Sequence, residues 1–360
     1  MWRVALGILA LFAAGCSGPA DDPCAGDPAP GIVCRVAGTG EFGFNGDGRP
    51  APESDLYLVS AARRGPDGDI YVMDFNNQRL RVIDGVTGTM RTIAGNGFHA
   101  YATEDIPALD SPLENPVDFG FLPSGDVVFV SLHDPRVLTI DDGGYLRVLA
   151  GSFEAAERGD EGDGGPALEA RFMELNGIAV APDGTIYLAD GPASRVRRIK
   201  DGVIETVAGD GEEAYTGDGG PGTEASLHYP TALELDAAGN LYIADSLNHA
   251  VRKLSPDGVI TTVPGTGPGA AAGSEGQPVG LAIEADGTLY VAEREAFCVR
   301  RVSPDGSVEV IAGNGERGLA GDGGRALDAE FGFLLRIALD GDSLLVADQT
   351  ESCVRRVILR

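Results

Sequence analysis

The chain has 360 residues, 43% of them hydrophobic, and its 27 Lys and Arg against 55 Asp and Glu give a formal net charge of −28. Nucleic acid and anionic membrane surfaces repel so acidic a chain, so neither is expected as a binding partner. Aromatic residues make up 6% of the chain and its single tryptophan is Trp2, so a sugar-stacking platform would have to rely on Tyr or Phe.

Residues 1–15 are predicted to be an export signal. A basic start at Arg3 precedes an apolar run, Val4–Ala14, that is too short to anchor the chain as a spanning helix. The residues around Cys16 resemble a bacterial lipobox, in which this cysteine becomes the lipidated first residue. Simple secretion, with cleavage after a small residue, is the alternative. We expect an exported lipoprotein of the outer membrane, periplasm or cell surface that contacts the membrane only through its lipid anchor.

Residues 16–30 are predicted to be a flexible tether, because they are rich in Pro, Gly, Ala and Asp and contain no bulky apolar side chain. The remaining residues, 31–360, repeat one pattern, which is clearest in residues 176–221. Four short apolar runs alternate there with turns rich in Asp, Pro and Gly, as in antiparallel strands joined by tight turns. The runs are Gly177–Val180, Thr185–Ala189, Arg195–Ile199 and Val203–Ala208. One copy is therefore predicted to be a four-stranded meander.

Six copies recur at a spacing of roughly 50–60 residues, the range of propeller blades. The predicted second strands are Gly68–Asp74, Gly125–Ser131, Gly184–Asp190, Gly239–Asp245, Gly287–Glu293 and Gly341–Asp348. The sixth copy ends after its third strand at Val357, while Gly31–Gly38 resembles a fourth strand. We predict an all-β, six-bladed β-propeller closed by an N-terminal strand that completes the last blade and hides the sheet edges.

The segment Tyr242–Lys253, with the sequence Tyr-Ile-Ala-Asp-Ser-Leu-Asn-His-Ala-Val-Arg-Lys, resembles the NHL repeat, as do Val207–Gly211 and Thr216–Pro221. The resemblance extends from about residue 31 to the C-terminus and implies the same propeller fold. It does not imply one function, because NHL propellers serve as binding modules and as enzymes. RNA-binding members would need a basic face, which this acidic chain does not supply.

Arg and Lys concentrate in the third strands, while the acids lie largely in turns and connections. We expect these charges to pair within or between blades. The long connection between each fourth strand and the next first strand carries an acid in a Gly-Asp-Gly setting. The acids are Asp47, Asp163, Asp218 and Asp322, with Glu104 in the equivalent place after the first blade, and the loop after the fourth blade lacks one.

These loop acids have two interpretations. The structural one is a tight turn, in which Gly adopts a left-handed conformation and Asp accepts backbone N–H bonds. The functional one is a ligand site for Ca²⁺ or for small cationic ligands, because hard cations take carboxylate and carbonyl oxygens. No loop matches an EF-hand or the nonapeptide Ca²⁺ repeat. The loops are expected to surround the mouth of the central channel.

The four histidines are His99, His133, His228 and His249, and all are predicted to lie at connections on this same face. The NHL resemblance makes them zinc candidates, because similar amidating lyases use His ligands. They lack a metal-ligand spacing such as His-x-x-x-His. We therefore expect solvated loop histidines, and Ca²⁺ rather than Zn²⁺ if an ion binds.

The remaining cysteines are predicted to divide between a disulfide and buried thiols. Cys24 and Cys34 are close in sequence and exported, which favours a disulfide. Cys298 and Cys353 occupy the same place in adjacent blades, whose sheets lie about 10 Å apart, whereas a disulfide needs Cα atoms within about 7 Å. They are expected to be buried thiols, or Cys353 pairs with an N-terminal cysteine.

Two classes of function stay open at this point. The chain has no Gly-x-Ser-x-Gly, P-loop or dinucleotide fingerprint. Our leading hypothesis is a binding or scaffolding module of the cell envelope that takes a protein or a small cationic ligand. The alternative is a metal-dependent lyase or lactonase-like enzyme at the channel mouth. A third hypothesis is that the irregular second blade, which carries His133 and Arg136 in place of the consensus, binds the partner.

Overall fold

The computed structural model describes residues 24, 26, 28–152, 158–268 and 276–360. The predicted export signal, the lipidated Cys16 and most of the predicted tether therefore lie outside the described residues. Within the described part of the chain, no helix is both long and apolar enough to cross a bilayer.

The described residues form 25 strands and six single-turn 3₁₀ helices. The strands are β1 (Val33–Ala37), β2 (Arg49–Pro50), β3 (Val59–Arg64), β4 (Ile70–Asp74), β5 (Arg79–Ile83), β6 (Thr89–Ala94), β7 (Pro116–Phe121), β8 (Val127–Ser131), β9 (Val137–Ile140), β10 (Leu146–Ala150), β11 (Leu175–Val180), β12 (Ile186–Asp190), β13 (Arg195–Lys200), β14 (Val203–Ala208), β15 (Pro230–Leu235), β16 (Leu241–Asp245), β17 (Ala250–Leu254), β18 (Ile260–Thr262), β19 (Pro278–Ile283), β20 (Leu289–Glu293), β21 (Cys298–Val302), β22 (Val308–Ala312), β23 (Leu334–Asp340), β24 (Ser343–Asp348) and β25 (Cys353–Ile358). The 3₁₀ helices are Ala51–Glu53, Phe75–Asn77, Ala167–Glu169, Gly222–Glu224, Ser246–Asn248 and Ala326–Asp328.

The strands form six antiparallel sheets, which are the blades of a β-propeller. Blade one contains β3 to β6, with the two-residue β2 added at its edge, and blades two to five contain the next four strands each. Blade six contains β23, β24, β25 and the N-terminal β1. The predicted six-bladed fold is confirmed.

The ring is closed by the pairing of β1 with β25, in which Val33 lies opposite Val357. The first strand of every blade lies innermost and contacts the first strands of the two neighbouring blades. Closure by the N-terminal strand, as predicted, supplies the fourth strand of blade six.

Tight turns set the strand boundaries. In blade three, the turn between β11 and β12 contains Gly184 with a φ of +86°, which an L-residue adopts only with strain. The carboxylate of Asp183 accepts the N–H of Thr185 at 3.0 Å in the same turn. The predicted turn chemistry therefore fixes where β12 begins.

The hydrophobic core lies between neighbouring sheets. Met73 and Leu80 of blade one pack against Phe119, Phe129 and Leu138 of blade two, and similar clusters join the other neighbouring blades. Each blade is therefore stabilised mainly by apolar burial against its neighbours, as expected for a repeat protein.

The two ends of the ring differ. The long connections between blades lie beside the turns that join second and third strands, as Asn77 shows by donating a hydrogen bond to the carbonyl of Gly43. We call this end the loop face. The opposite end carries the hairpins that join first to second and third to fourth strands, and we call it the hairpin face.

The predicted disulfide is confirmed, because Cys24 and Cys34 are bonded, with their Cα atoms 5.6 Å apart. Cys298 and Cys353 are buried free thiols. The alternative in which Cys353 pairs with an N-terminal cysteine is wrong, since Cys34 already has Cys24 as its partner.

Candidate functional site

Four of the predicted loop acids are held by arginines from third strands. Their partners Arg81, Arg197, Arg252 and Arg355 have fully buried side chains. The N···O distances are 3.1 Å for Arg81–Asp47, 2.5 Å for Arg197–Asp163, 2.9 Å for Arg252–Asp218 and 2.8 Å for Arg355–Asp322. The loop carboxylates thus bind guanidinium groups, where the structural interpretation had expected backbone N–H groups. Their role in binding a ligand stays a prediction.

Three of these arginines also face a second, buried acid at the end of the second strand. Asp74 lies 3.3 Å from Arg81, Asp245 lies 3.3 Å from Arg252, and Asp348 lies 3.8 Å from Arg355. Burial raises the pKa of Asp74 to about 6 and that of Asp348 to about 7. Each arginine therefore ties a loop to the end of a second strand, which confirms the predicted structural role of the third-strand charges.

Blade two departs from this scheme. The register places Leu138 where blade one has Arg81, and Ser131 where blade one has Asp74. Arg136 pairs instead with Asp134 at 2.6 Å and donates a hydrogen bond to the carbonyl of Ala102 at 2.7 Å. Arg136, a predicted ligand residue, thus anchors the connection before blade two. Glu104, two residues beyond Ala102, is exposed on that connection.

Blade five departs differently. Its third-strand Arg300 lies 4.0 Å from Glu293, and both side chains are buried. Burial raises the pKa of Glu293 to about 7, with Arg300 acting in the opposite direction. Among the described residues, Oε2 of Glu293 accepts no hydrogen bond, and the same is true of Oδ2 of Asp348 at the equivalent place in blade six.

The central channel is filled by a buried arginine. Arg336 of β23 donates a hydrogen bond from Nε to Asp118 of β7 at 3.0 Å. It also donates to the backbone carbonyls of Val279 and Thr231 at 2.5 and 2.7 Å, and to that of Asn176. One guanidinium therefore joins the first strands of blades two to six across the axis of the ring.

A second pair of charges lies nearer the hairpin face. Arg63 of β3 lies 3.4 Å from Asp118 and 3.5 Å from Glu234. Burial raises the pKa of Glu234, while Arg63 acts in the opposite direction. The channel thus contains two arginines and two acids that neutralise one another, and none was singled out from the sequence.

The sequence did contain a signal for the charges on the axis. The strand registers align Asp118 with Ala61, Gly177 and Gly280 of other blades, where the residue is small. A Cβ on Gly177 would lie only 2.3 Å from the carbonyl oxygen of Thr231, so the innermost strands approach too closely for side chains there. An acidic residue at a place where other blades have Gly or Ala therefore indicates a side chain on the axis of the ring.

A cluster of nitrogen and oxygen donors lies on the loop face between blades one and two. It consists of His99, Glu114 and His133, whose ligand atoms all lie within 4.8 Å of one another. Nε2 of His99 lies 2.8 Å from Oε1 of Glu114, and Nδ1 of His133 lies 3.3 Å from the same oxygen. The side chain of Glu114 is 13% exposed, against 56% for His99 and 45% for His133. Two imidazoles and a carboxylate are a donor set that suits zinc.

Asn115 belongs to the same cluster. Its Oδ1 lies 2.7 Å from Nε2 of His99 and 3.1 Å from Nδ1 of His133. Neither Glu114 nor Asn115 was among the predicted residues, although both directly precede β7. The other two histidines lie elsewhere on the loop face: His228 is 3.7 Å from Glu213, and His249 is 3.3 Å from the carbonyl of Gly276.

Exposed aromatic side chains cover the loop face of blades one and two. They are Phe42, Phe44, Tyr57, Phe98 and Tyr101. The Phe42 and Tyr57 rings stack with centroids 5.3 Å apart, and the Arg79 guanidinium lies 3.9 Å from the Phe44 ring. Arg79 also donates to the carbonyl of Asn96, two residues before Phe98, so the two connections are joined. We call these five side chains the aromatic patch.

A wide groove lies away from this region. It has a volume of about 720 Å³ and lies between blades three and four, against hairpin-face residues that include Asp183, Asp236 and Asp257. A smaller cavity, of about 450 Å³, opens on the hairpin face beside Arg63 and Glu234. Neither contains a residue that the sequence predicted to bind a ligand.

Residues 60–312 match the family model described as SMP-30/gluconolactonase/LRE-like region. Human NHL repeat-containing protein 2 is 28% identical over 226 residues, which cover 55% of this chain and 31% of that protein. The chain spans about a quarter to a third of the length of the curated relatives that it matches first.

Two solved structures illustrate the shared fold. An auxiliary nutrient binding protein from Bacteroides thetaiotaomicron superposes with a TM-score of 0.63 at 16% identity, covering 90% of this chain and 75% of that one. A gluconolactonase from Xanthomonas campestris superposes with a TM-score of 0.57 at 13% identity, covering 85% and 87%. At such identities these likenesses establish the propeller and leave the activity open.

Proposed function

Since the chain belongs to the SMP-30/gluconolactonase/LRE-like family, whose fold is found in both a binding protein and a lactonase, we propose that it is a binding module of the cell envelope. The aromatic patch is the observation that carries this proposal. The ligand would be recognised on the loop face of blades one and two, which includes the irregular blade that the sequence singled out.

Exposed rings of this size indicate a recognition surface. Phe98 is 72% exposed and Phe42 is 60% exposed, although burying such a side chain stabilises a protein by about 1.5–3 kcal/mol. Aromatic residues are enriched where proteins bind partners, because they supply a large contact area at low entropic cost. A patch of several such rings on one face therefore favours a docking role over a solvated surface.

The filled channel supports a binding role at the surface. Arg336, Asp118, Arg63 and Glu234 form ion pairs on the axis, so a ligand would not pass through the ring. The acids Asp47, Asp163, Asp218 and Asp322 are also paired. The aromatic patch, with the half-exposed imidazoles of His99 and His133 beside it, offers accessible groups to a ligand on the loop face.

The partner that fits this surface is a protein or a small ligand with apolar and cationic groups, because the chain has a net charge of −28. We further propose that the protein is exported and anchored by lipid on Cys16. Replacing Cys16 by Ala should move the protein from the membrane fraction to the soluble exported fraction and abolish labelling by a radioactive fatty acid. Unchanged fractionation and labelling would reject the anchor.

Site-specific photo-cross-linking in the native host tests the binding role. A photoreactive benzoylphenylalanine at Phe98 should give a discrete cross-linked product, whereas the same group at Val86, which is 97% exposed on the hairpin face, should not. Replacing Phe42 by Asp should weaken the product at position 98. Equal products from positions 98 and 86, or no product from either, would contradict the proposal.

A second candidate function is a lactonase- or lyase-like activity at the same face. The observation that favours it is Glu114, a largely buried carboxylate in contact with two imidazoles, since such groups are general acids and bases in many enzymes. Purified protein would be assayed against a panel of lactones, with Glu114→Gln as the inactive control. Turnover that Glu114→Gln abolishes would establish an enzyme, and equal rates for the two proteins would exclude this site.

A further inference from the structure

We propose that His99, His133, Glu114 and Asn115 form a transition-metal site, suited to Zn²⁺, on the loop face between blades one and two. This proposal does not depend on whether the protein only binds its ligand or also catalyses a reaction of it. Two imidazole nitrogens and a carboxylate oxygen converge within 4.8 Å, and the Asn115 amide oxygen lies within 3.1 Å of both nitrogens.

Hydrogen bonds of the main chain hold the donors in place. His99 and Leu113 form a parallel β-bridge, which fixes His99 beside the following residue, Glu114. The N–H of Leu132 donates to the carbonyl of Asn115 at 3.0 Å, which fixes the neighbouring His133. Both histidines are thus tied to the segment that supplies the two oxygen donors.

Asn115 is itself held firmly. It is buried, and its N–H donates to the side-chain oxygen of Gln78 at 2.7 Å. Its backbone has a φ of +50°, which places the residue in the left-handed region. The oxygen donors are therefore organised before an ion arrives, which reduces the entropy lost on binding.

The other blades show which features of this arrangement are structural. The β-bridge of His99 recurs for Phe42 in blade one and for Glu213 in blade four. In blade one, the residue that corresponds to Glu114 is Tyr57, which stacks on Phe42. In blade four, it is His228, which lies 3.7 Å from Glu213. The same scaffold therefore carries an aromatic stack in blade one and an ion pair in blade four.

The position of a third donor distinguishes blade two from blades one and four. His133 lies two residues after the end of its second strand, where blade one has Asn76 and blade four has Leu247. Blade four thus has one histidine and one acid without a third donor at this place. In blade two, His133 at this position completes a set of donor atoms. Blades one and four fold without such a set.

The donor chemistry selects the ion. Imidazole ligands suit Zn²⁺ and other late first-row divalent ions, whereas Ca²⁺ takes six to eight oxygens. Two histidines and a carboxylate are a known zinc set, and a zinc site can expand to five ligands, so a position stays open beside Asn115. Because both imidazoles are about half exposed, that position would be accessible to water or to an oxygen-donor ligand such as a carboxylate.

Metal titration of the purified propeller, freed of metal by chelator, tests the site. Isothermal calorimetry with Zn²⁺ should give one binding event per chain, and Co²⁺ should produce the visible absorption of a four- or five-coordinate nitrogen–oxygen site. His133→Gln and Glu114→Gln should each weaken Zn²⁺ binding by more than the roughly 10- to 100-fold that loss of an outer-shell partner costs.

The matched control is His228→Gln, which removes the histidine at the Glu114-equivalent position of blade four and should leave Zn²⁺ affinity unchanged. Thermal melts of the metal-free variants show whether each has folded. No Zn²⁺ binding by the wild-type protein would overturn the proposal. So would binding that persists in folded His133→Gln and Glu114→Gln, or that is lost equally in His228→Gln.

Discussion

Arg336 and Asp118 are 218 residues apart in sequence and form a hydrogen-bonded ion pair of 3.0 Å on the axis of the ring. Both side chains are almost completely buried. Through the carbonyls that Arg336 also binds, and through the contact between Asp118 and Arg63 of β3, this pair connects the first strands of all six blades. Ion pairs and hydrogen bonds therefore connect the blades at the centre of the ring, whereas apolar packing connects them farther out.

Arg336→Leu should destabilise the protein by about 3–5 kcal/mol. Among the described residues, the change leaves Arg63, 3.4 Å away, as the one arginine paired with the buried Asp118. It also removes the Arg336 donor from three backbone carbonyls. Removing one member of a buried ion pair typically costs this much, because the other charge stays desolvated. Urea unfolding followed by circular dichroism measures the change in free energy.

The matched control for this prediction is Arg301→Leu. Arg301 pairs with Glu309 at 2.7 Å, but both side chains are about half exposed. Exposed pairs contribute about 0–1 kcal/mol, so this variant should unfold almost as the wild-type protein does. Equal losses in the two variants would show that the axial pair has no special role.

Asp245→Asn should cost considerably more stability than Asp218→Asn, although both acids pair with Arg252. Asp245 is fully buried and also accepts the N–H of His228 and the side-chain amide of Asn248. We expect a loss of about 3 kcal/mol for Asp245→Asn and of about 1 kcal/mol or less for Asp218→Asn.

Denaturant unfolding of these two variants, with and without Ca²⁺, also tests the ligand role of the loop acids. If Asp218 only anchors its loop, Ca²⁺ should change the stability of the wild-type protein and of Asp218→Asn by the same small amount. Stabilisation of the wild-type protein that Asp218→Asn abolishes would mean that the loop acid is a calcium ligand.

The features predicted well from the sequence were periodic or local. The blades follow from a pattern repeated six times, so errors in any one copy are corrected by the others. The disulfide between Cys24 and Cys34 and the pairing of third-strand residues such as Arg252 with acids also follow, because they depend on neighbours in sequence or on the repeat.

The features that were missed depend on where the ring brings distant strands together. Asp118 and Arg336 meet across the axis, and no local pattern gives that distance. His99 and His133 were recognised as candidates, but Glu114 and Asn115 were not, because the side chains at these two positions vary between blades although the backbone repeats. Departure from the repeat, as at Asp118, was the usable signal in both regions.

The native domain from residue 24 onward should show no thiol that reacts with Ellman's reagent. Cys298 and Cys353 are both buried, and burial raises the pKa of each thiol, which further lowers its reactivity. Unfolding in urea without reductant should expose two thiols, since Cys24 and Cys34 form a disulfide. Four reactive thiols in urea would show that the disulfide does not form.

Glu293→Gln should make the stability of the protein less sensitive to a rise in pH from about 4.5 to 7. Burial raises the pKa of Glu293 from 4.5 to about 7 in the folded state, so the folded protein binds this proton more tightly than the unfolded chain does. The contribution of Glu293 to stability is therefore greatest below pH 4.5 and falls as the pH rises through about 7. Across that window the wild-type protein should lose up to roughly 3 kcal/mol more than the variant.

Urea unfolding at several pH values between about 4.5 and 8 measures this difference. The matched control is Glu309→Gln, which removes an acid that is about half exposed in the same blade and should leave the pH profile unchanged. Parallel pH profiles for Glu293→Gln and the wild-type protein would mean that Glu293 is ionised in the folded state at neutral pH, with Arg300 fully compensating its burial.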